Sequence, residues 1–405
     1  MNHVISGLTI HRPRNDFVGL FSELAGSVRN LGLENVRVIA NAHAGAFAGN
    51  NSGILNNVYA TGSVSVDVEP GYGEQSTATA GGLVGSNGRN GLIKDAYSLV
   101  NVGGRSELGG IAGINEGVID SVFAAGQVGV PNFSDGIFSI GGLVGRNYGQ
   151  VRNAYWTSDG TGKSLAFGSD SAPAGLANSY TVLTTEGLRN AYLALDYEGS
   201  WFRYDGRTAP LLRSFLKPLT INGISREIDK IYDGLAFEFV PGFFYSIPDA
   251  TASVHLNWSN GAVSGGKSPD VGTYLNGSTT AFWSDQRGYL INNPVIQQDA
   301  KVTITPRPVL VQANPDTKFF DNSTGSSALP GISNTQGKLN AGLANGDVLN
   351  ASQSFDSNEA GDRTLMVSSF EIRNSAGKDV TSNYQVSRAD ANGKIVTPTL
   401  DVGEN

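Results

Sequence analysis

The chain contains no cysteine in 405 residues, which removes disulfide frameworks and thiolate metal sites from consideration. Only four histidines occur, His3, His11, His43 and His255, none paired at ligand spacing, so a metal-hydrolase reading has nothing to rest on. There is no apolar run of eighteen or more residues, hence no candidate membrane helix. Basic residues are outnumbered, 28 against 36 acidic, and they do not cluster, which argues against nucleic acid or an anionic membrane as partner. No Gly-x-Ser-x-Gly elbow or phosphate-cradling loop appears. The Gly-rich stretches lack the following helix that a dinucleotide site requires. The opening Met1-Asn2-His3-Val4 does not resemble a signal peptide, and 3–10 already has the pattern of a strand. We therefore expect a fragment whose native chain continues upstream.

What the chain has instead is glycine, 53 residues of it, arranged in a repeat. The stretch 81–97, GGLVGSNGRNGLIKDAY, recurs as GGIAGINEGVIDSVF at 109–123 and GGLVGRNYGQVRNAY at 141–155. A looser copy, GAFAGNNSGILNNVY, covers 45–59, and a degenerate one, VGLFSELAGSVRNLG, covers 18–32. Fixed cores with spacers of variable length mark stacked structural units joined by loops. The apolar run of each copy is too short for a helix and is bounded by glycine. An Asn-x-Gly turn follows, at Asn51/Gly53, Asn115/Gly117 and Asn147/Gly149, with two extra residues between Asn87 and Gly91. Both residue types tolerate positive φ, so a sharp left-handed bend is expected there. Leu55, Ile93, Ile119 and Val151 occupy the equivalent place in the next strand. Strand, tight turn, strand and loop, repeated, predicts a parallel β-solenoid with equivalent residues stacked along its axis. The asparagines are then placed to form a ladder.

These residues, Gly-Gly-Leu-Val-Gly-x-Asn closed by Asn-Ala-Tyr, resemble the GLUG motif of filamentous-haemagglutinin-like bacterial adhesins, over roughly residues 1–216. The resemblance implies a right-handed parallel β-helix, export by two-partner secretion through an outer-membrane partner, and a secreted or cell-surface location. The N-terminal secretion domain of that family has no counterpart here.

After Trp156 the motif stops, and 157–180 is rich in Gly, Ser and Ala. The stretch 184–196 has helical spacing, with Leu188, Ala191, Tyr192 and Leu195 on one face and Thr184 or Thr185 as cap. This capping segment, 183–216, with Trp201 and Phe202, is expected to cover the exposed end of the solenoid (1–182). Beyond it, Asp233 and Asp321 lie 88 residues apart, and Val271-Gly-Thr273 and Ala360-Gly-Asp362 lie 89 apart. Two divergent copies of one module, 217–306 and 307–405, are thus expected to be Ig-like β-sandwiches. The first contains Lys230-Ile-Tyr-Asp-Gly, and the pair resembles the YDG and MBG-type modules of the same adhesins, though Leu235 replaces the usual Thr.

Acidic residues near turns, Asp159, Asp205, Asp233 and Asp321, suit Asx turns better than Ca²⁺, since no ligand series accompanies them. No cofactor and no metal are expected. Three classes of function suit such a coil: an adhesin, a β-helical polysaccharide lyase or hydrolase, and a binder of ice or another regular surface. The second needs carboxylates grouped on adjacent rungs, where this chain has Asn, Ala, Ser and Tyr; the third needs Thr-x-Thr ranks. The adhesin reading is preferred, with a glycan, an exopolysaccharide or a host or bacterial surface protein as ligand. The fragment is expected to be monomeric. The longest spacers, 67–80 and 131–140, both precede a Gly-Gly core and should leave one side of the coil. Tyr72, Phe133 and Phe138 would stack on sugar rings there, with Glu74 and Asp135 accepting hydroxyl hydrogen bonds, Glu69 beside them.

Overall fold

The computed structural model describes residues 2–66, 78–129, 138–237, 245–246, 254–264, 269–333 and 342–398. Contacts divide the chain into two compact units. One comprises 1–220 with 250–255 and 282–294; the other comprises 221–249, 256–281 and 295–405.

The first unit is a parallel β-helix built of three sheets. Each turn contributes a short strand to one sheet (Thr79–Gly81), a second short strand to the next (Val84–Asn87) and a long strand to the third (Leu92–Gly103). Identical positions stack in register. Ile93 lies between Leu55 and Ile119, and Ile119 lies against Val151, all fully buried. Leu83, Ile111 and Leu143 stack likewise, each amide donating to the next carbonyl (Leu83 N to Ile111 O, 2.9 Å; Ile111 N to Leu143 O, 2.8 Å).

Space, not backbone twist, dictates the glycines. A Cβ on Gly81 would sit 2.0 Å from the Val84 carbonyl oxygen and 2.5 Å from the Ala112 Cα. One on Gly82 would meet the Ser98 Oγ at 2.1 Å, because the third sheet fills that gap from across the coil. The turn glycines Gly53, Gly91, Gly117 and Gly149 are equally crowded, and none has positive φ. The expected left-handed bend falls elsewhere: Asn30, Asn57, Asp95, Ser121 and Asn153, at equivalent places within the long strands, have φ between 47° and 57°, and the first long strand has a second such residue, Asn35.

The coil outlasts its motif. Phe167–Asp170 pairs with Val144–Asn147, and Tyr180–Leu183 pairs with 154–157, adding a further turn within the stretch whose composition shows no repeat. Trp156 and Phe167 belong to the interior cluster of this last turn, and Tyr180 packs edge-on to Phe167.

The helix that follows is shorter than its spacing suggests. It spans Thr185–Asn190, capped by Thr184 Oγ1 accepting from Gly187 N at 2.9 Å, and Ala191 is already extended. Leu188 and Leu195 are buried, but Tyr192 is 83% exposed, so the expected apolar face does not form. Trp201 does not cover the coil's end. It lies on the flank, over a column of stacked rings on the outer face of the long-strand sheet: Tyr59, Tyr97 and Phe123, with centroids 5.0 and 4.8 Å apart, continued by Tyr155. Its Nε1 donates to Asp95 Oδ1 at 3.0 Å, and Phe215 packs edge-on to Tyr59. Residues 282–294 cover the same flank: Arg287 pairs with Glu34 (2.8 Å), and Gln286 Nε2 donates to Leu212 O (2.9 Å).

Downstream, two four-stranded sheets have the same plan. Arg226–Ile231 runs parallel to Val295–Thr305, which is antiparallel to Gly272–Ser284, beside Val254–Ser264. Asp316–Phe319 runs parallel to Ala391–Val396, antiparallel in turn to Gly361–Arg373, beside Val348–Phe355. The second of these packs on the sheet of Arg307–Gln312, Gly331–Ser333 and Tyr384–Ala389 around Val311, Ala313, Phe355, Leu365, Val367 and Ile395, which makes a β-sandwich.

Candidate functional site

Inside the coil the polar chemistry is spent on stacking. Asn51, Asn87, Asn115 and Asn147 are fully buried and form a ladder. Each Nδ2 donates to the Oδ1 of the next asparagine, at 2.8, 2.8 and 2.9 Å, and Asn147 ends on Asp170 Oδ1 at 3.0 Å. Leu24 takes the equivalent place in the degenerate copy. The ladder satisfies amides that would otherwise be buried without partners, so it is structural.

Carboxylates on the turns are similarly engaged. Glu107 is buried and pairs with Arg146 at 3.0 Å, while accepting from Ser106 Oγ at 2.7 Å. Asp120 is buried between Arg152 (3.0 Å) and Asn153 (3.1 Å), and Asp95 accepts from Trp201 and Ser200. Beside Glu107, Thr79 separates it from His43, whose Nδ1 lies 2.5 Å from Thr79 Oγ1. Burial lowers the pKa of His43, against the opposing pull of Asp16 and Glu107. Among the described residues no group of three or more His, Asp or Glu is placed to hold a metal ion.

The turn-forming aspartates divide. Asp233 Oδ1 accepts from Leu235 N (2.8 Å) and Asp321 Oδ1 from Ser323 N (2.9 Å), both Asx turns. Asp159 accepts from Gly160 N and from Thr185 N, tying two turns together. Asp205 instead pairs with Arg203 at 2.7 Å.

The surface that remains lies at the distal end of the long strands. Ser63, Asn101 and Gln127 form an outward column, with Asn101 Oδ1 accepting from Gln127 N at 3.0 Å. Alongside runs Ser65, Gly103 and Gly129. Asn101, Gln127, Ser65, Gly103 and Gly129 line, with Val64 and Val102, a shallow depression of about 270 Å³. A Cβ on Gly129 would meet nothing within 4 Å, and one on Gly103 nothing closer than 3.8 Å, unlike the crowded glycines of the repeat. The depression adjoins the two long spacers. Ile54–Val66 leads into 67–77, and Val128–Gly129 leads into 130–137. The strands that follow, Thr79–Gly81 and Ser139–Gly141, flank Glu107–Gly109 in one sheet. The roots of both loops are thus two turns apart on one edge, about 10 Å. Of the aromatic and acidic residues assigned to a glycan site, Tyr72, Glu74, Phe133 and Asp135 lie outside the described residues, as does Glu69; Phe138 is half-buried at the root of the second loop. The polar column Ser63–Asn101–Gln127 escaped sequence reasoning, because it lies beyond the repeated motif.

No family model matches the chain. A segment of 101 residues, 24% of the chain, is 36% identical to halomucin of Haloquadratum walsbyi (strain DSM 16790 / HBSQ001). The match spans 1% of that protein's length. No helix among the described residues is long and apolar enough to cross a membrane.

Proposed function

We propose that this chain is a non-catalytic segment of a secreted or cell-surface adhesin, a stiff coil that presents two loops from one edge to a glycan or exopolysaccharide. The observation that carries the reading is the stacking of both loop roots around a single intervening turn, with the polar shelf Ser63–Asn101–Gln127 beside them. Loops on a rigid scaffold are where recognition concentrates. Amide side chains at the rung spacing can bracket the hydroxyls of a sugar ring, and the loop aromatics supply the stacking face. The partial likeness to halomucin fits a surface role. The GLUG-like repeat supports the adhesin class and an outer-membrane secretion partner for the whole protein. In this reading the fragment is monomeric and carries no cofactor.

The test is a glycan array probed with the purified 405-residue chain and two double variants, Asn101→Ala with Gln127→Ala and Tyr72→Ala with Phe133→Ala. Both should lose the signals of the unmodified chain at least tenfold while keeping its circular dichroism spectrum. Undiminished binding by both variants moves the site away from this edge. An empty array, with release of shorter oligosaccharides from an incubated polysaccharide, would overturn the non-catalytic reading in favour of a β-helical lyase or hydrolase.

A further inference from the structure

Among the described residues, three turns have an aromatic residue and an aspartate before a left-handed residue: Tyr204-Asp205-Gly206, Tyr232-Asp233-Gly234 and Phe320-Asp321-Asn322, with φ of 67°, 79° and 62° at the third position. The second and third are structural equivalents. Each follows the strand that runs parallel to the last strand of its sheet, and each aromatic amide donates 2.9 Å to that strand's end, Tyr232 N to Thr305 O and Phe320 N to Val396 O. In each a lysine three residues before the aspartate pairs with it at 2.7 Å.

The first two aromatic rings are plugs. Tyr204 is buried, its hydroxyl donating to Tyr289 O (2.6 Å) and accepting from Ile291 N (3.0 Å). Tyr232 is 1% exposed; Val302 and Ile304 of its own module share its cluster, and the other buried members come from the next copy. Its ring meets Tyr384 edge-on at 5.4 Å, its hydroxyl donates to Asp347 at 3.2 Å, and Ala344, Ile372 and Val380 complete the cluster. Asp270 reinforces that junction, accepting from Asn383 Nδ2 (2.7 Å) and from Lys378 Nζ (2.8 Å).

The third ring has no such cover. Phe320 is 45% exposed and its neighbour Phe319 68%, in a turn whose geometry repeats that of Tyr232. We propose that Phe320 is the plug for a further module of the same kind, which seats on this face as residues 307–398 seat on Tyr232. Continuity with the existing junction identifies the occupant. A second copy of this chain does not serve, because its receptor around Tyr384 is already filled by its own Tyr232. Phenylalanine has no hydroxyl to donate, so the receptor it fits needs no acceptor in the place of Asp347. Burying these rings removes apolar surface from water, the usual driving term for such a contact.

The experiment lengthens the full chain by appending residues 307–398 directly after Pro398, as Arg307 follows Pro306. The appended copy offers an empty Tyr384–Ala344–Ile372 receptor. Hydrogen exchange in the turn 318–323 should slow at least tenfold relative to the 405-residue chain, and the appended copy should melt together with the module before it. Phe320→Ser in the lengthened chain should abolish both effects, and Phe320→Tyr, which supplies the hydroxyl that Asp347 accepts from Tyr232, should preserve or strengthen them. Unchanged exchange in the lengthened chain, or coupling indifferent to Phe320→Ser, overturns the proposal. So does sedimentation of the original chain as a dimer that Phe320→Ser dissociates, since the occupant would then be a second copy.

Discussion

The two units use a repeated aromatic position in opposite ways. In the solenoid, Tyr59, Tyr97 and Phe123 stack on one another turn after turn, at 5.0 and 4.8 Å, and Tyr155 continues the column, whose flank is covered by Trp201, Phe215 and residues 282–294. In the sandwich unit, one ring, Tyr232, makes the junction between copies about ninety residues apart. A solenoid turn has no core of its own, so each turn depends on its neighbours and a local fault is felt along the stack. Residues 307–398 hold a private core around Phe355 and Leu365, and only their Tyr384 face depends on the module before. The length of the repeat thus sets where cooperativity resides.

The largest effect should come from breaking the stack. In Gly81→Val, the added side chain meets backbone on two sides, Val84 O and Ala112 Cα, and neither can retreat without separating two turns. Calorimetry should show the solenoid transition lost or broadened while that of the sandwich unit persists. A mutant melting like the parent would show that the turns tolerate separation and would undo the contrast. Gly103→Ala is the matched control, with open space around its Cβ, and should change stability by less than about 0.5 kcal/mol.

Next in size is Tyr232→Ala, which empties a fully buried site and should cost the sandwich unit about 3–5 kcal/mol, the range for deleting a large core aromatic. Phe320→Ala in the same chain should cost far less. Comparable urea midpoints for the two variants would mean that Tyr232 is not the junction.

Asn87→Ala should follow. It removes both ladder bonds and leaves Asn51 Nδ2 and Asn115 Oδ1 without partners in a dry interior, at about 2–4 kcal/mol by the cost of orphaned buried polar groups. Asn50→Ala, one residue from the ladder but half-buried on the outer face, should be nearly silent. If both lower the melting temperature equally, the ladder carries no special weight.

The smallest effect concerns pH. Burial holds the folded pKa of His43 below its ordinary value of 6.5, so the unfolded chain binds its proton first as pH falls. The solenoid should therefore lose stability on acidification through pH 6.5 down to the folded pKa, with no further contribution from this group below it. His43→Gln should flatten that part of the melting-temperature profile, whereas the sandwich unit should be indifferent to the substitution. A profile unaltered by His43→Gln would show that other groups set the slope.

Reading the repeat was enough to align Leu55 with Ile93, Ile119 and Val151, because residues that stack must recur at the same place in each copy. The ladder was legible for the same reason. The last turn falls, but for Leu183, within the bounds expected of the coil, 1–182, although no motif marks it. Phe167–Asp170 keeps only what the neighbouring turn demands, an apolar residue for Val144 and a hydrogen-bonding oxygen for Asn147, and it needs no motif of its own because one side faces no further strand. The chemistry of Asn and Gly points to the Asn-x-Gly turns for left-handed residues, but Asn57, Asp95 and Asn153 take that conformation in mid-strand, where adjacent turns impose the same bend.

By itself, then, the sequence determined the parallel coil and its register, since both follow from short apolar runs punctuated by glycine at a recurring place. It also carried the recurrence of one four-stranded sheet plan, through the spacing of Asp233 and Asp321. Only tertiary structure decided what covers the aromatic column, that Asn101 and Gln127 share an outward shelf, and that Tyr232 is enclosed while Phe320 is open. Those outcomes depend on which distant segment arrives at a surface, and a local pattern of residues contains no information about its long-range neighbour.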